Sequence, residues 1–91
     1  MARVAVVTGG TRGIGEAISV ALKNAGYKVA ANYAGNDAAA KAFQDKTGID
    51  VFKFDVADFK SCEKGVGEIT AKLGPIDVLV NNAASPATAP S

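Results

Sequence analysis

The sequence contains no histidine and a single cysteine, Cys62, in 91 residues. The first absence excludes a His/Cys zinc site, and the second excludes an internal disulfide. Cys62 falls at an apolar position of a helical pattern, which reads as a small core residue. A long hydrophobic run is also missing. The apolar stretch behind Met1-Ala2-Arg3 is Val4-Ala5-Val6-Val7, and it ends at Thr8-Gly9-Gly10. That is too short for a signal-peptide core or a membrane span, so no membrane association and a cytoplasmic location are expected. Nor is there an excess of one charge. The net charge is +1 with Lys and Arg scattered, which gives no reason to expect a nucleic-acid or membrane surface.

What is present is the composition of a soluble globular chain, 48% hydrophobic and 21% charged. Ninety-one residues suffice for one small domain, not for a full dinucleotide enzyme with its own substrate pocket. Its organising stretch is Thr8-Gly9-Gly10-Thr11-Arg12-Gly13-Ile14-Gly15, between the apolar run and a helical pattern. Strand, glycine turn and helix in that order aim backbone N–H groups at a positive helix end, where a pyrophosphate can dock. Gly9 supplies the turn's unusual dihedrals. Gly13 removes a side chain where backbone approaches a phosphate, and Gly15 allows close helix–sheet packing. The spacing G-x-x-x-G-x-G differs from the G-x-G-x-x-G of long-chain dehydrogenases, and without a following Gly-Lys-Ser/Thr a P-loop is disfavoured.

Taken in order, residues 2–8 read as a buried parallel strand, β-branched and without alternation. A helix over 13–25 follows, with Ile14, Ile18, Ala21, Leu22 and Ala25 at helical spacing, and Gly26 closes it. Residues 28–33 form a second strand. Asn36 or Asp37 caps a second helix, 37–47, whose expected inner face is Ala39, Ala42 and Phe43. Residues 49–54 form a third strand. Asp58 caps a third helix, 59–73, with Cys62, Val66, Ile69 and Leu73 on one stripe, weakened by Gly65 and Gly67 at roughly 1 kcal/mol each. Residues 76–80 form a fourth strand. The pattern β-α-β-α-β-α-β with short loops is an α/β fold. It predicts the amino-terminal half of a Rossmann doubly wound parallel sheet with strand order 3-2-1-4. That order gathers four loops at the carboxyl ends of the strands: Gly9–Gly15, Tyr33–Asn36, Asp55–Asp58 and Asn81–Ala84.

Four features together resemble the short-chain dehydrogenase/reductase family: the Thr8–Gly15 turn, the Asp55-Val56 pair, strand four, and Asn81-Asn82-Ala83 after it. The resemblance covers residues 2–83. Within the family, Met1–Gly15 and Ala30-Ala31-Asn32-Tyr33-Ala34-Gly35-Asn36 are most similar to the bacterial acetoacetyl-CoA reductases of polyhydroxybutyrate synthesis. The 3-oxoacyl-acyl-carrier-protein reductases share most of these motifs. A stand-alone nucleotide-binding module without catalysis is the alternative from another class.

The resemblance implies a nicotinamide cofactor held by Gly9, Thr11, Arg12, Gly13, Ile14 and Gly15, with Asn32, Tyr33, Asp55, Val56, Asn82 and Ala83 around it. NAD-selecting domains usually place an Asp or Glu at the end of strand two, where this chain has Asn32-Tyr33. Arg12 can give charge-assisted bonds to a 2′-phosphate, so NADPH is expected. The resemblance further implies that Asp55 accepts from the adenine amino group with the Val56 backbone assisting. Asn82 and Ala83 then line the adenosine and nicotinamide-ribose side, and Asn81 stabilises the sheet. An acyl-CoA substrate and a homotetramer are implied for the full-length relative.

The family's chemistry resides on a Ser, a Tyr and a Lys in the next half of the chain. Tyr27 and Tyr33 are the only tyrosines here, and neither stands in a Tyr-x-x-x-Lys pattern. No catalytic residue is assigned, and the chain alone is expected to be inactive. Residues 1–83 read as a partial dinucleotide-binding domain and 84–91 as an unstructured tail. The family loop reads Asn-Asn-Ala-Gly and often continues Ile-Thr-Arg-Asp, whereas this chain continues Ala84-Ser85-Pro86-Ala87-Thr88. Back-translation with one G restored in front permits Gly-Ile-Thr-Arg-Asp, which suggests a one-base deletion. An artificial boundary or a natural low-complexity tail is the alternative. A half-fold of this kind is expected to be marginally stable, to self-associate through strand four and to bind cofactor weakly.

Overall fold

The computed structural model describes residues 2–82. The elements alternate without exception: β1 Val4–Val7, α1 Gly13–Asn24, β2 Lys28–Tyr33, α2 Asp37–Thr47, β3 Asp50–Lys53, α3 Phe59–Leu73 and β4 Ile76–Val80. The four strands form one parallel sheet in the order β3-β2-β1-β4, the order expected from the pattern. Right-handed crossovers account for the layers. The chain steps one way from β1 to β3, carrying α1 and α2 on one face. It then turns back to β4, which carries α3 to the other.

Successive β1 side chains feed opposite faces. Val4 and Val6 pack with Ala30, Phe52, Phe54 and the fully buried Ile69 of α3. Val7 packs with Val29, Ala31, Ile49 and Phe43 of α2 on the other side. A side chain of the size of Ile69, fully removed from water, contributes about 1.5–3 kcal/mol. β4 is the less protected strand. Leu79 is 64% exposed, and among the described residues only β1 pairs with β4. The β1–β4 register also slips: Val4 faces Ile76 but Ala5 faces Val78. Asp77 is the extra residue, and its carboxylate accepts the Val4 N–H at 2.9 Å.

Three helix faces differ from the expected ones. In α1, Ile14, Ala21 and Ala25 are exposed, and the buried positions are Gly15 and Ser19. Apolar spacing pointed one way, but close approach to the sheet requires the small side chains inside. The Ser19 hydroxyl tolerates burial by donating to the Gly10 and Gly15 carbonyls at 3.0 and 2.9 Å. In α2, Ala40 and Phe43 are buried while Ala42 is exposed, so the inner stripe is rotated. In α3, Val66 is exposed and Gly65 is buried. A Cβ at Gly65 would run into the Phe54 ring, so this glycine is a packing feature as well as a cost to helix propensity. Strands one and three are also shorter than expected, with the buried Ile49 and Phe54 just outside β3.

Helix ends follow the expected chemistry. Asn36 Oδ1 accepts from Ala39 N–H to cap α2, and Gly48 closes it in the left-handed conformation at φ 76°. Asp58 caps α3 by accepting from Lys60 and Ser61 N–H.

Candidate functional site

The glycine turn leaves β1 at the centre of the carboxyl edge, and three neighbours hold it there. From β2, Asn32 is buried, and its Oδ1 accepts the Gly9 N–H at 3.1 Å while its carbonyl accepts the Gly10 N–H at 3.0 Å. Its Nδ2 donates to the Phe54 carbonyl at 2.9 Å, tying β3 into the same knot. From β4, the Val80 carbonyl accepts the Thr8 N–H at 3.0 Å. Thr8 Oγ1 donates to Asn81 Oδ1 at 3.3 Å, and Asn82 Nδ2 donates to the Gly9 carbonyl, also at 3.3 Å. The turn is therefore fixed by bonds to neighbouring strands.

Gly9 has φ 63° and Gly13 φ 56°, the left-handed region that favours glycine. A Cβ at Gly13 would meet nothing within 4 Å, so the approach to the helix start is open. A Cβ at Gly15 would collide with the Gly9 carbonyl and lie 2.7 Å from Asn82 Nδ2. Gly9 thus carries the unusual turn dihedral, and Gly15 sits where a side chain has no room.

The start of α1 differs from the other two helix starts. Asn36 and Asp58 cap α2 and α3 through their side chains, but Arg12 at the N-cap of α1 makes no side-chain cap hydrogen bond. The first N–H groups of a helix need acceptors, and the helix dipole favours an anion there.

A pocket of about 180 Å³ opens beside this helix start, lined by Gly9, Thr11, Arg12, Tyr33, Ala34, Gly35 and Asn36. Arg12 is exposed and Thr11 is buried. Tyr33 is half-buried, and its hydroxyl donates to Asp37 Oδ1 at 3.1 Å. Burial first, then the hydrogen bond to Asp37 and its negative charge, hold the Tyr33 phenol above its ordinary pKa.

Not every expected residue faces this cleft. Asn32 lies beneath it, its amide engaged with Gly9 and Phe54, so it positions the turn rather than presenting a free group. Ile14 is 75% exposed at the helix start. Asp55 is exposed at the end of β3; its Oδ1 accepts the Ala57 N–H at 2.9 Å, and its own N–H donates to Ser61 Oγ at 2.8 Å. Val56 is exposed beside it. Asn82 is half-buried against the turn. Ala83 lies outside the described residues, as does the 84–91 tail. Ser19 was not expected: its signal, a hydroxyl four residues after Gly15, looks like any surface serine. No group of three or more His, Cys, Asp or Glu able to hold a metal occurs among the described residues. No helix there is long and apolar enough to cross a membrane.

The model of the short chain dehydrogenase family matches residues 3–91. The chain is 66% identical over 83 residues to the acetoacetyl-CoA reductase of Shinella zoogloeoides, covering 91% of this chain and 34% of that one. It is 41% identical over 88 residues to the 3-oxoacyl-[acyl-carrier-protein] reductase of Staphylococcus aureus, covering 91% and 36%. Among solved structures, it is similar to a blue fluorescent protein from a metagenomic library in complex with NADPH. The TM-score is 0.81 at 37% identity, over 90% of this chain and 36% of that one. The chain thus spans about a third of the length of the curated relatives it matches.

Proposed function

The chain belongs to the short-chain dehydrogenase family, and on that premise we propose that it is the cofactor-binding amino-terminal part of an NADPH-dependent acetoacetyl-CoA reductase. The whole enzyme, a cytoplasmic homotetramer in this reading, reduces the 3-oxo group of an acyl-CoA to a 3-hydroxyacyl-CoA for polyhydroxybutyrate synthesis. The observation that carries the cofactor reading is the uncapped start of α1 behind Gly9 and Gly13, beside the Arg12 pocket.

NADPH supplies the hydride. The residues of this chain hold it. The turn from Gly9 to Gly15 and the first N–H groups of α1 receive the pyrophosphate. Arg12 takes the 2′-phosphate through charge-assisted hydrogen bonds, and Tyr33 walls the same pocket. The Asp55 carboxylate, which accepts the Ala57 N–H, would accept from the adenine amino group, with Val56 beside it. Asn82, bonded to the Gly9 carbonyl, would line the adenosine and nicotinamide-ribose side. The Ser, Tyr and Lys that handle the proton are not among these residues: neither Tyr27 nor Tyr33 has a lysine four positions on.

The choice of acetoacetyl-CoA over an acyl-carrier-protein substrate rests on identity, 66% against 41% over nearly the same residues. A chimaera tests the reading. Residues 1–82 of this chain replace the matching segment of the Shinella zoogloeoides enzyme, which supplies the rest. Reduction of acetoacetyl-CoA with NADPH, and poor activity with NADH, is the expected result. Loss of activity in a folded chimaera, or a preference for NADH, contradicts it. The 91-residue chain itself binds NADPH without turnover; turnover by it would also overturn the reading.

A further inference from the structure

A carboxylate adjoins two residues that line the Arg12 pocket, and its charge opposes a negatively charged ligand there. Asp37 is the first residue of α2, next in sequence to Asn36, which lines the pocket. It is bonded to Tyr33, which lines it too, through the phenol hydroxyl at 3.1 Å. Asp37 is exposed. Like charges repel, and at physiological salt screening is incomplete within about 8 Å.

Lys53, the last residue of β3, answers that charge. Its Nζ lies 3.3 Å from Asp37 Oδ1 and 3.3 Å from Oδ2. The ammonium therefore bridges both oxygens of a residue on a different element. Lys53 is not among the residues that wall the pocket, so its effect there acts through Asp37.

We propose that Lys53 is a specificity-determining residue that favours a 2′-phosphorylated dinucleotide by neutralising Asp37, which adjoins the pocket through Tyr33 and Asn36. The proposal rests on the reading above, in which Arg12 and Tyr33 receive the 2′-phosphate of NADPH. Lys53 is a positioning residue, with no contact to the cofactor required. Its removal uncovers a carboxylate near the phosphate of NADPH, while NADH, which carries only a hydroxyl there, is little affected.

The test is a fluorescence titration of the 91-residue chain with NADPH and, separately, NADH. Lys53→Met keeps the aliphatic stem and removes the charge. It is expected to weaken NADPH binding about fivefold, as suits the upper range for an exposed charge interaction, and to leave NADH unchanged. Adding Asp37→Asn to Lys53→Met restores NADPH affinity, and Lys53→Arg retains it. Circular dichroism on each variant establishes that it is folded. If wild type prefers NADPH but Lys53→Met weakens both cofactors equally, weakens neither, or is not rescued by Asp37→Asn, the role of Lys53 is overturned and the pocket assignment survives. If wild type binds neither cofactor, or binds them equally, the pocket assignment fails and the proposal fails with it.

Discussion

Asn32 accepts the N–H of Gly9 at 3.1 Å with one end of its carboxamide and donates to the Phe54 carbonyl at 2.9 Å with the other. One buried side chain on β2 thereby joins the glycine turn after β1 to the end of β3. Removing it leaves buried partners unsatisfied, each costing about 1–3 kcal/mol. Asn32→Ala is expected to lower stability by roughly 2–4 kcal/mol on that basis, and Asn32→Asp by at least as much, because an anion would face the Phe54 carbonyl. Urea unfolding of the variants measures both. A loss under about 0.5 kcal/mol would contradict the role assigned here.

Two glycines of α3 separate in the same kind of experiment. Gly67 has open space where a Cβ would go, whereas Gly65 has the Phe54 ring. Gly67→Ala should stabilise by roughly 0.5–1 kcal/mol, through helix propensity alone. Gly65→Ala should destabilise by roughly 1–3 kcal/mol, through overpacking. The same direction for both would show that backbone propensity, not contact with Phe54, decides.

That contrast marks where sequence reasoning stops. Element order, strand order and the caps at Asn36 and Asp58 were legible because each depends on local pattern: apolar runs, turn residues, and an oxygen-bearing side chain before a helix. The glycine turn was legible because its spacing is itself the signal. Helix faces were less so. Period alone cannot distinguish Ile14, 75% exposed, from Ile18, packed against the α1–α2 side of the sheet. The buried Ser19 and Gly65 are identified only once the helix-to-sheet approach is known. The place of Asn32 near the end of β2 points toward the ligand; that its amide turns inward depends on Gly9 and Phe54, residues remote in sequence.

Tyr33 offers a pH test. Its phenol is held above the ordinary value near 10 by burial, then by its hydrogen bond to Asp37 and that residue's charge. In a Tyr27→Phe background, ultraviolet titration should place Tyr33 above 10, and Asp37→Asn should lower it. Because the folded state holds the proton more tightly than the unfolded one, the contribution to stability is complete below about 10 and is lost as pH rises through the raised value. Urea midpoints across that range should therefore fall more steeply for wild type than for Tyr33→Phe. Titration at or below 10 would remove the basis for the network.

The outer side of β4 is the expected site of self-association. Leu79 is 64% exposed on a strand with one neighbour among the described residues. Sedimentation velocity should show association that grows with concentration, and Leu79→Lys should reduce it with little change in stability. A wild-type chain that stays monomeric throughout would argue against an adhesive edge.

The central claim is that the turn from Thr8 to Gly15, with Arg12, receives a 2′-phosphorylated dinucleotide. Isothermal titration of the 91-residue chain and of Arg12→Ala, with NADPH and NADH, tests it most directly. The account predicts that wild type binds NADPH more tightly than NADH and that Arg12→Ala removes most of the difference while keeping NADH affinity. Equal affinities in wild type, or a preference for NADPH that survives Arg12→Ala, would contradict it.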